Sequence, residues 1–272
     1  MTFASAAALN YVLDKSESER VSPLCSLALG KTLASSGYYP SGWEGSFGPI
    51  VLDQFMRFGY ITLSNQTKNG CAGKYEYPLN NERDEGNPMS LSNYKQYSKS
   101  LMWETRSINT GHRVYWSPIL TMEQRFEIEN SGEQYDGEKV LTDVKKALLN
   151  NNSDTKSIVT IGTMLYGDLC HAGACAKRNA QDDTWAMSGN IKHMLRMGVG
   201  PDAGHEIAIV GYDDNATAVD REGFTHKGLL TIRNSWGEKT GDKGNFYMTY
   251  DYFKMFVDEV QKVSKIVITV ND

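Results

Sequence analysis

Four short apolar runs, SIVTIGTML, HEIAIVGYDD, GLLTIRNSW and GNFYMTYDYF, lie between residues 157 and 253, each set off by Gly, Asp or Asn. Runs of that length and bounding predict β-strands. The start of the chain reads differently. FASAAALNYVL at 3–13 is rich in Ala and Leu with no breaker and predicts a helix whose small residues allow close packing. Ser22-Pro23 ahead of LCSLALGKTLA supplies an N-cap and a proline for the first helical position, with Gly37 and Pro40 ending the helix. Ser46-Phe47-Gly48-Pro49 opens a third helix, IVLDQFMRFG, that ends at Gly59. From Ser64 to about Asn93 the sequence is polar, with scattered Gly, Asn and Pro, and predicts irregular structure. Tyr135 to Asn150 predicts an amphipathic helix with Val140, Val144, Ala147 and Leu148 on one face. Helices first and strands afterwards predict an α+β protein. The expected division is a mainly helical lobe at 1–110, with an irregular insertion from about residue 80, and a β-rich lobe at 111–272.

The 272 residues are 40% hydrophobic and 22% charged, enough apolar mass for a sizeable core and too much for a disordered chain. Lys and Arg number 28 against 33 Asp and Glu, a formal charge of −5. That balance gives no electrostatic reason to bind nucleic acid or an anionic membrane. No apolar stretch approaches the ~20 residues of a membrane span. Ala4 to Leu13 is interrupted by Ser5 and Asn10 and lacks a basic flank, so no export signal is expected in the chain as written.

The chemistry concentrates in two segments. Ala203-Gly204-His205-Glu206-Ile207 places a histidine where an apolar strand begins, and Ile232-Arg233-Asn234-Ser235-Trp236-Gly237 ends another strand in Asn-Ser-Trp-Gly. His205 and Asn234 are 234 − 205 = 29 residues apart, a spacing that suits neighbouring antiparallel strands joined by a long loop. Such strands lie about 4.8 Å apart, so an imidazole and a carboxamide can meet across them. The carboxamide then fixes the ring's tautomer and orientation, and the other ring nitrogen faces a nucleophile.

These segments resemble the C-terminal half of the papain-family cysteine peptidases of the bacterial type. That family carries a catalytic His in an [N/G]-H-A-[V/I]-x-x-V-G-Y strand and a catalytic Asn in N-S-W-G, followed by W-G-x-x-G-Y or a variant. The last element corresponds to Gly241-Asp242-Lys243-Gly244-Asn245-Phe246-Tyr247. Upstream, Gly42-Trp43-Glu44-Gly45-Ser46-Phe47, a helix and Phe58-Gly59-Tyr60-Ile61 resemble the family's G-C-x-G-G segment, its helix and its Y-G-I turn. Tyr75-Glu76-Tyr77-Pro78 resembles the Y-P-Y that follows, and residues 80–130 are an insertion.

The resemblance implies a two-lobe papain-like fold, a helical lobe and an antiparallel β-barrel-like lobe with the cleft between them. It implies peptide-bond hydrolysis through a thioester, with His205 as base and acid and Asn234 orienting it. Trp236 would shield the His–Asn hydrogen bond, and Gly45, Ser46 and Gly204 would hold the substrate backbone. Ser46 stands where the family has a second glycine. The departure is at the nucleophile. The family's C-W-A-F helix aligns with Met1-Thr2-Phe3-Ala4 from the residue after the cysteine onwards. The catalytic Cys is therefore expected immediately before Met1, and the oxyanion-hole Gln further upstream. The chain as written is expected to be inactive. The alternative is a papain-fold pseudo-enzyme acting as a binding module.

Four cysteines stand at 25, 71, 170 and 175. The resemblance implies a disulfide from Cys25, in the second helix, to Cys71. Cys170 and Cys175 read as a local disulfide or as two free thiols, with pairing expected under oxidising conditions. A metal site with His171 lacks the second ligand pair zinc usually takes, so neither metal nor cofactor is expected. His112, His193 and His226 read as surface or loop residues. The expected partners are a peptide or protein substrate and a propeptide or protein inhibitor, with no nucleic acid and no membrane. A monomer is expected. The family and the two disulfides imply a secreted or extracytoplasmic protein.

Overall fold

Ser22 and Pro23 start a helix as their sequence predicts: the Ser22 side chain accepts from the Cys25 N–H at 3.0 Å, and Pro23 occupies the first helical position. The computed structural model describes residues 1–37, 43, 45–77, 86–101, 104–107, 110–149, 151–152 and 154–269. The chain divides into two units. One comprises Met1–Trp116, Asn151–Ser157 and Val263–Asp272; the other comprises Ser117–Asn150 and Ile158–Lys262.

The first unit holds α1 (Thr2–Val12), α2 (Pro23–Ser35), α3 (Gly48–Phe58), α4 (Leu63–Asn69) and α5 (Leu91–Tyr97), then β1 (Glu104–Ser107) and the start of β2 (Thr110–Leu120). α2 buries Leu24, Ala28, Leu29 and Leu33 against Ile61, Met89 and Tyr94. Gly59 ends α3 at φ +75°, where the Tyr94 hydroxyl donates to its carbonyl at 3.0 Å. The polar stretch expected to be irregular contains nearly all of α4 and the start of α5. Thr62 and Ser90 cap them by accepting from the backbone N–H three residues on, local signals that the polar composition masked. Residues 78–85 of that stretch, and Gly42 and Glu44 upstream, lie outside the described residues.

The second unit begins with α6 (Met122–Ser131) and α7 (Gly137–Leu149). There follow β3 (Thr155–Leu165), β4 (Cys175–Lys177), β5 (Thr184–Trp185), α8 (Gly189–Arg196), β6 (Ala203–Asp220), β7 (Thr225–Arg233), β8 (Asn245–Thr249), α9 (Tyr250–Phe256) and β9 (Val257–Thr269), of which the first three residues of β3 and β9 from Val263 onwards belong to the first unit. From β9 the sheet runs β9-β3-β6-β4-β5-β8-β7, and β7 pairs again with β6, so five strands close into a ring. The β5–β8 pair is parallel. α7 lays Val140, Leu141, Val144 and Ala147 onto a core shared with Ile161, Ile207, Ile209 and Ile232.

GNFYMTYDYF, expected as one strand, is strand only to Thr249. The Thr249 side chain then accepts from the Tyr252 N–H at 3.2 Å and caps α9. His112, expected at the surface, is buried on β2. No helix among the described residues is long and apolar enough to cross a membrane. The architecture is α+β.

Candidate active site

β6 and β7 pair antiparallel, with Ala208 opposite Arg233, so the residue after β7 returns to the level where β6 begins. There His205 Nε2 lies 2.9 Å from Asn234 Oδ1. The same oxygen accepts from the Ser235 backbone N–H at 2.8 Å. A main-chain N–H can only donate, so this atom of the carboxamide is the oxygen. His205 Nε2 must therefore donate to it, and in the neutral ring Nδ1 keeps its lone pair. Asn234 Nδ2 is buried without a partner among the described residues.

Trp236 stacks on the imidazole, with centroids 5.3 Å apart and planes at 26°, and is itself 44% exposed. Beneath both rings lies Trp185, fully buried, 6.1 Å from His205 and 5.8 Å from Trp236 between centroids. Phe246 meets Trp236 edge-on at 5.3 Å. Burial among these rings pushes the His205 imidazole below its ordinary value, and the bond to Asn234 works the other way.

Trp185 is the site residue that sequence reasoning missed. It sits on a two-residue strand, too short to carry a hydrophobic period. Buried Asp183 seats it: its carboxylate accepts from the N–H groups of Arg178, Asn179 and Ala180 at 2.7–2.8 Å and from the Thr184 hydroxyl at 2.9 Å.

Gly204 precedes His205 and has open space where a Cβ would stand. Gly45 and Ser46 lie in the other unit, just before α3; Gly45 holds φ +138°, a region that favours glycine, and Ser46 is buried. Cys25 is bonded to Cys71 and Cys170 to Cys175, so none of the four sulfurs is a free thiol. His171 pairs with Asp168 at 2.7 Å, and half-buried His226 with Asp220 at 2.9 Å.

Residues 195–271, which carry His205, Asn234 and the end of the barrel, match the model of the peptidase C1-like family. No curated protein matches the chain. Among solved structures, the clostridial cysteine protease Cwp84 after propeptide cleavage is similar over 99% of this chain and 53% of that one, at 16% identity and a TM-score of 0.55. Xylellain, a cysteine protease from Xylella fastidiosa, matches over 99% of this chain and 79% of that one, at 15% identity and a TM-score of 0.49. The SERA5 proenzyme from Plasmodium falciparum matches over 100% and 60%, at 17% and 0.48. This chain thus spans only about half of Cwp84 and three fifths of the SERA5 proenzyme. The fold is that of papain-like cysteine proteases. The family resemblance carried by the His and Asn strands extends to the C-terminal segment as a whole.

Proposed function

We propose that the chain is that of a papain-like cysteine endopeptidase, with His205 and Asn234 in its catalytic machinery. The observation that supports this best is the Asn234 oxygen, which takes both the Ser235 N–H and His205 Nε2 and so leaves Nδ1 free to receive a proton. In the reaction a thiolate adds to the scissile carbonyl carbon, and the C–N bond breaks as the His205 imidazolium gives its proton to the departing amine. The neutral ring then takes a proton from water, whose oxygen displaces the sulfur from the thioester. Trp236 and Trp185 keep bulk water from the His–Asn bond.

The nucleophile is none of the four paired cysteines. The family register assigns it to a residue directly before Met1. There the orphan N–H groups and dipole at the start of α1 favour a thiolate. Gly45, Ser46 and Gly204 are the residues proposed to pair with substrate backbone. A peptide or protein substrate, a propeptide partner and an extracytoplasmic location belong to the same reading; the two disulfides support the last.

The test is to express the chain with its encoded upstream residues, treat it with iodoacetamide, and locate the adduct by mass spectrometry alongside a peptidase assay. Alkylation of a cysteine next to Met1 with turnover lost in His205→Ala supports the reading. A residue other than Cys at that position overturns it in favour of a binding module.

A further inference from the structure

Two cavities of the second unit meet at α8. The first, of about 420 Å³, is walled by Lys192, Leu195 and Arg196 from α8 and by Met255 from α9, over the buried side chain of Met187. Lys192 and Arg196 are four residues apart, hence neighbours on one helix face. Both are exposed, and neither side chain has a hydrogen bond or ion pair among the described residues. The one carboxylate that lines this cavity, Asp251, is paired with Lys254 at 2.8 Å, which also reaches Glu138 at 2.7 Å.

The second cavity, of about 360 Å³, shares Met187, Lys192 and Asp251 with the first and runs on to Phe224, 63% exposed at the β6–β7 turn. Its other carboxylate, Asp220, is held by His226. At the opposite end Met255 also rims a third cavity, which Met164 lines. Met164 pairs across β3 and β6 with Gly204, the residue before His205.

We infer that this groove docks an extended, acidic and apolar stretch of the polypeptide substrate at a distance from the bond that is cut. The inference rests on the peptidase reading for the identity of its partner. Charge complementarity selects the chemistry: each carboxylate lining the first two cavities already has a side-chain partner, Asp251 in Lys254 and Asp220 in His226, whereas two cations on α8 have no carboxylate. Spacing selects the conformation. One helical turn advances about 5.4 Å, and alternate side chains of an extended peptide, which face the same way, are about 6.6–6.8 Å apart. Two acidic residues at alternate positions therefore meet Lys192 and Arg196 together, and an apolar residue two positions on reaches Leu195 and Met255.

A fluorescein-labelled peptide of sequence GSDGDGLSG, titrated with the 272-residue chain and read by fluorescence anisotropy, tests this directly. Saturable binding is expected. It should weaken roughly tenfold in the Lys192→Glu/Arg196→Glu double variant, from two exposed ion pairs lost and two repulsions gained. It should weaken when leucine in the peptide becomes serine, and vanish when both aspartates become lysines. Both α8 side chains are exposed, so an unchanged melting temperature certifies that the double variant is folded. The inference falls if no saturable binding occurs or if the double variant binds as well as the parent. It falls equally if inorganic phosphate or a short oligothymidylate competes as well as unlabelled peptide. Binding is read without turnover, so its loss leaves the catalytic reading standing, and an inactive chain can still bind.

Discussion

Glu206 faces Gly162 across β3 and β6, one strand position after His205; it is 3% exposed, and neither carboxylate oxygen is hydrogen-bonded among the described residues. The glycine makes the arrangement possible. A Cβ at position 162 would lie 2.6 Å from the Glu259 side chain, which enters from β9 on the same face. Two acidic side chains thus share the space one missing methyl leaves. Burial, reinforced by the negative charge of Glu259, pushes the Glu206 carboxyl up to about 8.

That shift makes stability depend on pH in a stated direction. The folded chain holds a proton on Glu206 that the unfolded chain releases above about 4.5, so stability declines as pH rises from there to about 8. Glu206→Gln removes the titration. It should match the parent near pH 4.5 and exceed it at pH 8 by roughly 4 kcal/mol. Urea unfolding at the two pH values checks this; a difference independent of pH would refute it.

Asn234→Ala removes the acceptor that fixes the His205 ring, together with a buried Nδ2 that has no partner among the described residues. The two effects oppose each other, so the stability cost should stay near about 1 kcal/mol. The tautomer should change much more. Nitrogen-15 chemical shifts of His205 are expected to move from one protonated Nε2 to a mixture, and an unchanged tautomer would rule out the positioning role.

Trp236→Ala opens one face of the imidazole to water. The His205 pKa, held down by burial, should return towards its ordinary value. In the parent, holding that ring neutral costs stability as pH falls below about 6.5, and the variant should lose part of that acid sensitivity. A proton NMR titration of the ring reads both ends of the transition.

The two disulfides differ in the chain they close. Cys25–Cys71 spans 46 residues and Cys170–Cys175 spans 5. On the chain-entropy account the first contributes about 4 kcal/mol and the second about 2. Replacing each pair by serines should therefore lower the unfolding midpoint more for the first, as denaturant titration of both variants would establish.

Gly59→Ala should be among the costliest small substitutions in the first unit. Its φ is +75°, and a Cβ there would stand 2.2 Å from the Lys99 carbonyl oxygen. The loss should exceed about 1 kcal/mol, measured as a fall in melting temperature; a neutral outcome would contradict this geometry.

What could be read from the sequence was what local chemistry decides. Ser22, Pro23 and Gly59 mark helix ends through backbone groups a few residues away, and the structure uses each of them. α9 escaped because Tyr250, Tyr252 and Phe253 favour strands intrinsically, whereas capping by Thr249 and burial of Tyr252 and Phe253 decide for helix. The pairing of His205 with Asn234 was legible from two apolar strands of suitable separation. Trp185 was not, because its place depends on a loop gathered around Asp183 and on a parallel pairing with β8 that no periodicity announces.

The hairpin of β6 and β7 carries a consequence for the order of folding. His205 and Asn234 are brought together by the antiparallel pairing of two consecutive strands joined at residues 221–224, with no distant segment needed to close the distance. Contacts of short sequence separation form without the large entropic delay of long loops, and isolated hairpins close in about 1–10 μs. The meeting of the two side chains therefore needs this one hairpin and does not wait on closure of the barrel or on a segment from the other unit.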